Sequence, residues 1–519
     1  MKKILAFSLF AMILFAFAGC GGDTTTTATT ASTAAGTTTT GTGTTTTGTG
    51  TTTTGTGTTS SAAVTTTETH DPVTVTYAAW NLGEAGTAGA QTNLERAMLE
   101  AFAVAYPWIT VEIVERPKVT DPSGTTEIDQ NWNEFLGARA AVGTLPDVYF
   151  TDSAETVIMN NWTKDVTALA EADPEFMNIS ADIRNAANYG GKIMALPYAV
   201  YYFGYFINKS LFDAAFVDAP TFTDSWEDFV EKVSYVANQG DINGNGIAGI
   251  CGVDRILEWY PAQLNETLGW YTYDGSLLHL DGAEFASALS LYQTLMTDKT
   301  LVYDAMTPEE QLAAFGTTDA WGSNKLAAYW NYTPVIGSMV GLGFDVDFIG
   351  TPGTNAAHQI PVILDLMCVS SQTQHPAEAY LLAKWMSFGK AGYLKRIELS
   401  GLEDGEGVKI YTALNMTPLQ PDEDLLDAFF ALYPTFVEFR NVVAYGNYIL
   451  EPNKYVPGYI KARWTADFDA TNTVGDVFDK VRGGAMNYAD VKTEWNTIAN
   501  DALTRARTAV FTKLGVTGN

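Results

Sequence analysis

Basic residues are scarce in this chain. Lys and Arg number 29 against 59 Asp and Glu, for a net charge of −30 over 519 residues. Lys2 and Lys3 cancel Asp23 and Glu68, so residues 71–519 carry the whole excess. A body this acidic argues against nucleic acid or an anionic membrane surface as a direct partner, since both are polyanions. Most of these carboxylates read as solvated surface. Cysteine is scarcer still: Cys20, Cys251 and Cys368. A disulfide framework is excluded, leaving either one Cys251–Cys368 bridge or, the blander and preferred reading, two separate buried thiols. The four histidines, His70, His279, His358 and His375, never take the spacing of a zinc site. No nucleophile elbow, zinc-protease motif or P-loop is present. A glycoside hydrolase needs only two carboxylates, and no pair stands out here.

Long apolar runs are missing too, with one exception. Lys2 and Lys3 lead the run Ile4 to Ala18, which ends in Ala18-Gly19-Cys20. A basic start, a short apolar core and small residues at the end predict a secretory signal peptide. The run is short for a bilayer span, which argues against a retained transmembrane helix. Cys20 after Ala-Gly resembles the bacterial lipobox, whose thiol is acylated and becomes the new N-terminus, although Phe17 stands where Leu is usual. The alternative is an ordinary signal peptide that contains a cysteine. The segment after Cys20 favours lipidation. Residues 21–70 repeat TTTTGTG with a period of seven, with glycines at Gly36, Gly43, Gly50 and Gly57. A coiled coil would need apolar residues at two positions of each heptad, and there are none. Thr and Gly cannot bury enough surface to offset chain entropy, so a disordered tether is expected. As Gly-rich coil it would span roughly 40 Å, and fully extended about 170 Å.

The body alternates strands and helices. Val73 to Trp80 alternates apolar and polar and then turns apolar, as a strand entering a core does. Asn93 to Ala105 has helical spacing and is closed by Pro107. Ile109–Val114 and Asp147–Thr151 read as strands, and Trp132–Val142 and Ala154–Asn161 as helices. This order predicts parallel pairing, with ligands beyond the carboxyl ends of the strands. That rule selects Trp80, Asn81 and Glu84 after the first strand, and Asp152 and Ser153 after the third. The aromatic run from Gly191 to Lys209 contains Pro197 and Gly204, so it is expected to bend or change sheets. Trp226, Phe229, Val230 and Val233 form the buried stripe of a helix opened by Thr223-Asp224-Ser225.

The order of several stretches resembles a known family. They are Ala195-Leu-Pro-Tyr-Ala-Val200, Phe206-Ile-Asn-Lys-Ser-Leu-Phe212, Thr223-Asp-Ser-Trp-Glu-Asp-Phe229 and Asn324-Lys-Leu-Ala-Ala-Tyr-Trp-Asn331. Phe348-Ile-Gly-Thr-Pro-Gly353 then leads through Met367-Cys-Val-Ser370 to a helix from His375 to Phe388. Residues 73 to 400 are similar in this order to the family 1 extracellular solute-binding proteins of ABC importers, relatives of maltose-binding protein. Beyond Ser400 the resemblance is weak. It implies an α/β, two-lobed, periplasmic-binding-protein-like fold of type II with the ligand cleft between the lobes. The implied division is signal peptide 1–20, tether 21–70, N-lobe 71–202, C-lobe 203–345, N-lobe return 346–390 and a helical C-lobe completion 391–519. The chain would cross between lobes near Tyr198–Gly204, near Gly343–Gly350 and near Ser387–Tyr393. A lipid anchor and tether suit the family in a bacterium without a periplasm.

The cleft residues expected on this basis are Trp80, Glu84, Asp152, Tyr201, Tyr202, Trp330, Tyr332 and Asp365. Aromatic faces cover the C–H face of a pyranose, and carboxylates accept from its hydroxyls. Tyr201 and Tyr202 point to opposite faces of a strand, so at most one reaches a given cleft. Trp259 and Trp270 flank a helix and read as core. Asp241, Asn243, Asn245 and Ile247 match the first half of an EF-hand calcium loop, but position 12 is Gly252 rather than Glu. Asp254 or Glu258 would have to substitute, and the alternative is a polar turn. The function so predicted is a lipid-anchored receptor, not an enzyme, on the outer face of the cytoplasmic membrane. It is a monomer that passes a carbohydrate to the permease subunits of an ABC importer. No cofactor is required beyond that candidate structural calcium. The membrane is touched only through the anchor. The alternatives are a surface glycoside hydrolase and a non-transport glycan-binding adhesin.

Overall fold

The long strand Leu196–Asn208 organises the molecule. In the computed structural model, which describes residues 70–83, 91–121, 123–239, 246–354 and 356–517, it belongs to a nine-stranded sheet. The strand order is Ile109–Ile113, Val73–Ala78, Val148–Thr151, Ile360–Val369, Leu196–Asn208, Leu326–Tyr332 and Ala248–Ile250. Val346–Phe348 also pairs with the long strand, and Tyr448–Leu450 pairs with Ile360–Val369. The first three strands are parallel, as the alternation of strands and helices predicts. Ile360–Val369 is antiparallel to Val148–Thr151 and to Leu196–Asn208, and parallel to Tyr448–Leu450. Antiparallel neighbours need no helical crossover back to the same edge, and the chain between these two strands builds other structure instead. The signal segment, the tether with Cys20, Glu84, Asp241, Asn243 and Asn245 lie outside the described residues. Among the described residues no helix is long and apolar enough to cross a membrane.

Two halves meet along the long strand. Its Leu196–Tyr202 part pairs with Ile360–Val369, and from Phe203 onward it pairs with Leu326–Tyr332 and then Val346–Phe348. Two buried clusters flank the sheet, and strands of the second half alternate between them, with Phe206, Tyr329 and Phe348 in the first and Tyr205 and Trp330 in the second. The first gathers Val75, Tyr77, Phe102, Phe150 and Leu366, and the second Tyr205, Phe229, Trp259, Phe285 and Trp495. Pro197 does not end the strand. A β-bulge absorbs it instead, since the register with Ile360–Val369 shifts between Asp365 and Leu366. Gly204 permits the handover. A Cβ there would lie 2.2 Å from the carbonyl oxygen of Gly350, and the neighbouring Tyr205 N–H donates to that oxygen at 2.9 Å. Gly204→Ala should therefore shift two backbones and cost about 1–3 kcal/mol. A urea midpoint equal to that of the parent protein would refute this.

Local sequence accounts for the elements around the site. Asn93 caps the helix Leu94–Ala105 by accepting from the N–H groups of Glu95 and Arg96. Trp226, Phe229 and Val233 are buried on the helix Trp226–Gln239 as expected, while Val230 is only half-buried. Residues 391–519 divide between the clusters. Tyr393 to Val443 packs with the first and Tyr459 to Leu503 with the second, while Leu450 and Val510 belong to the first and Ile449 to the second. Cys368 is a buried free thiol, so it forms no bridge with Cys251. Cys251 is likewise buried.

Candidate ligand-binding site

Three separate stretches of chain converge on one cavity in the second half. The first is the turn and helix around Val253–Arg255 and Ile256–Leu264, which supplies Arg255 and Glu258. The second is the strand Leu326–Tyr332, which supplies Trp330. The third runs from Glu451 through the short turn Pro452–Lys454 to the π-helical segment Lys461–Thr465, which carries Arg463 and Trp464. π-Helical turns are rare and concentrate at functional sites. The cavity has a volume of about 430 Å³ including its open mouth. Phe203, Trp270, Trp330 and Trp464 supply its aromatic wall.

Each wall is fixed by packing. Trp330 stacks on Trp259 at 5.9 Å and on Phe203 at 6.4 Å, with rings within 12° and 13° of parallel. Gly252 holds it from behind: with φ +75°, a Cβ there would sit 2.2 Å from the Cβ of Trp330. Arg463 is 3 % exposed and is enclosed by rings, its guanidinium carbon 4.0 Å from the Tyr271 centroid, 3.8 Å from Trp464 and 4.0 Å from Phe478. Its Nη2 donates to Glu258 at 3.3 Å, and Arg255 Nη1 donates to the same carboxylate at 3.3 Å. The Glu451 N–H donates to the carbonyl of Val362, which ties this loop to the sheet of the first half. Burial pushes the Glu451 carboxyl up to about 8, against the opposing pull of Lys454.

Lys454 links this cavity to the residues selected from the sequence. It forms an ion pair with Asp365 in which both side chains are nearly buried. Its Nζ lies 5.9 Å from the Trp80 ring centroid. Trp80 is half-buried, edge-on to Trp132 at 5.5 Å and to Phe150 at 5.0 Å. Asp152 is open to solvent and accepts from Asn133 Nδ2 at 3.1 Å. The crowding of protein around it raises its pKa, while Asn133 and Lys454 oppose the rise. Tyr201 is half-buried against both clusters, and Tyr332 is half-buried and stacked on Phe203 at 5.6 Å. Burial, and after it the Asp365 charge, raises the pKa of both tyrosines. Trp80, Asp152, Tyr201, Tyr332 and Asp365 are thus gathered about Lys454, and Trp330 lines the cavity beside them.

Other assignments change. Tyr202 is core: it packs edge-on to Phe439 and Tyr448 and its hydroxyl bonds the Tyr448 hydroxyl at 3.3 Å. Of the tyrosine pair, Tyr201 is the one at the junction, as alternation along a strand requires. Trp259 is fully buried as expected, whereas Trp270 lines the cavity. Glu258, offered as a stand-in calcium ligand, is occupied by two arginines instead. Ile247 is buried, and no group of His, Cys, Asp and Glu among the described residues could hold a metal ion. Sequence reasoning missed Arg255, Glu451, Asn453, Tyr459, Arg463 and Trp464. Their one signal was two arginines in an acidic chain, one beside a Trp.

Comparison with known proteins bears on this geometry. A family model described as bacterial extracellular solute-binding protein matches residues 125–402. A comparison with curated protein sequences gave no match. Among solved structures, a sugar transporter of Rhizobium etli in an open conformation is 16 % identical, with a TM-score of 0.58, covering 82 % of this chain and 99 % of its own. A cyclic α-maltosyl-1,6-maltose binding protein of Arthrobacter globiformis is 13 % identical with a TM-score of 0.58, covering 84 % and 100 %. An ABC substrate-binding protein of Listeria monocytogenes in complex with cycloalternan is 16 % identical with a TM-score of 0.54, covering 86 % and 100 %. At such identities the likeness establishes the shared fold, a two-lobed α/β solute-binding architecture.

Proposed function

We propose, from the premise that this chain belongs to the bacterial extracellular solute-binding proteins, that its solute is a carbohydrate held at the junction of the two halves. The observation that carries this reading is the cavity itself, with aromatic faces on its walls and buried hydrogen-bonding groups between them. A pyranose has an apolar C–H face and a rim of hydroxyls, and that combination matches such walls. The structurally similar proteins whose names include a sugar or a cyclic oligosaccharide lend support. Ligand contacting both halves at once favours their closed arrangement by its differential affinity for that state. A permease would then recognise the closed form.

The remaining parts of the proposal rest on the sequence. Cys20 carries the acyl anchor, and residues 21–70 hold a monomeric receptor away from the outer face of the membrane. The protein binds its ligand and does not turn it over, and a calcium ion at Asp241, Asn243 and Asn245 would be structural. Intrinsic Trp fluorescence should change saturably when the protein is titrated with maltotriose, cellotriose, xylotriose or galactotriose. Silence across all four, with a response to peptides or amino acids, would overturn the solute class. Trp464 is half-buried and its ring covers the buried Arg463 guanidinium at 3.8 Å, so Trp464→Ala should lower the melting temperature while the protein stays folded. Loss of its ring should weaken the best trisaccharide at least tenfold, since aromatic anchors dominate such sites. Equal affinity in parent and variant would remove Trp464 from the site.

A further inference from the structure

The cavity contains more unsatisfied hydrogen-bonding capacity than a protein interior tolerates. Arg463 Nη1, Glu451 Oε2, Asn453 Oδ1 and the Tyr459 hydroxyl are all buried without a hydrogen-bond partner among the described residues, and all four residues line the cavity. Arg463, Glu451 and Tyr459 are each more than nine-tenths buried. Every such atom costs about 1–3 kcal/mol unless something completes it, and four along one wall are costly to leave open.

The kind of atom left open identifies what completes it. Arg463 Nη1 can only donate, and Asn453 Oδ1 can only accept. The Tyr459 hydroxyl can do both. Among the described residues Glu451 Oε2 has no hydrogen-bond partner, so as a buried acid this side chain can offer one O–H and one carbonyl oxygen. A carboxylate or phosphate brings acceptors only and leaves Asn453 unsatisfied. An ammonium brings donors only and meets the charge of Arg463. Adjacent sugar hydroxyls each donate and accept, so they can satisfy all four. Trp330 and Trp464 then offer their rings to the same sugar.

We propose that Glu451, Asn453, Tyr459 and Arg463 form a subsite for one neutral pyranose ring, reading adjacent hydroxyls on its edge and excluding the uronic acid of the same skeleton. This deepens the carbohydrate reading and rests on it. The subsite sets specificity from the part of the chain beyond residue 450, while Trp80 and Asp152 face the same ligand from the first half.

Calorimetry on the intact chain tests it, with the same four neutral trisaccharides and their counterparts oxidised at C6 to uronates. Asn453→Ala removes an unpartnered acceptor and breaks no bond within the protein, so it should melt with the parent. It should bind the best neutral trisaccharide at least tenfold more weakly, and Arg463→Met more weakly still. The oxidised sugar should bind the parent at least a hundredfold more weakly than its neutral counterpart. If a neutral sugar binds but Asn453→Ala binds it equally well, or if the uronate binds as tightly, the subsite is refuted while the carbohydrate reading stands. If no trisaccharide binds in either form, both fail together.

Discussion

Glu95→Ala is expected to lower the unfolding free energy by about 3–5 kcal/mol, because it strands a buried cation. Arg396 is 1 % exposed and its guanidinium is paired to the Glu95 carboxylate, with Nη2 donating to Oε2 at 3.1 Å and to the Met386 carbonyl at 2.8 Å. Removing one partner of such a pair costs far more than the net worth of the pair, since the remaining charge has no water. The pair also connects towards Trp80. Tyr198, whose electrostatics are set by burial and then by Glu95 and Arg396, accepts from Asn81 Nδ2 at 3.0 Å, and Asn81 follows Trp80 directly. The variant should therefore unfold at a clearly lower urea concentration and bind trisaccharide more weakly. A midpoint within error of the parent would mean that the Arg396 charge finds another partner. The double variant Glu95→Leu with Arg396→Met should recover much of the loss, because it leaves no stranded charge.

Stability should fall as pH rises from about 5 to about 8, by an amount on the order of a few kcal/mol. Burial raises Glu451 to about 8, and burial likewise raises Asp304 and Asp347 to about 6. A carboxyl whose folded pKa lies above its unfolded value binds its proton more tightly in the native state. Its stabilisation is complete below the unfolded pKa, near about 4, and is lost as pH rises through the folded value. The opposite sign applies to Asp469 and Asp476. A side-chain hydrogen bond from Asn472 chiefly holds the first below the usual carboxylate range, and a backbone hydrogen bond from Thr473 the second. Their contribution disappears as pH drops below about 4. Maximum stability is therefore expected in mild acid, near about pH 5. Thermal melting from mild acid to mild alkali checks this, and Glu451→Gln should flatten the decline on the alkaline side. A parent protein whose melting temperature climbs through that range would contradict the assignment of Glu451 as a buried neutral acid.

The first half was legible because its signals are local. Val73–Trp80 alternates, Asn93 caps and Pro107 stops, and the strands and helices expected up to Asn161 appear close to where their patterns place them, whereas the short strands Lys118–Thr120 and Glu127–Asp129 carried no such pattern. Trp80, Asp152 and Trp330 could be picked out because they lie at strand ends or inside family-like stretches. Pro197 signalled an irregularity, but only the pairing with Ile360–Val369 shows that the irregularity is a bulge rather than a break. The cavity was not legible. Arg255, Trp330, Glu451 and Arg463 are far apart in sequence and meet only through tertiary packing, and no period or spacing links them. Tyr202 was offered for the cleft alongside Tyr201 because a strand position does not say which face is covered, and Phe439 and Tyr448 cover that one.

The central claim is that the solute sits against Trp330 and Trp464 in the second half, on the side that Lys454 links to Trp80 and Asp365. A crystal structure of the intact body grown with the tightest-binding trisaccharide tests it most directly. Density for a sugar ring facing one of those indoles, with hydroxyls within hydrogen-bond distance of Asn453 and Arg463, is the predicted result. A ring seated elsewhere on the surface, with this cavity holding only solvent, would contradict it.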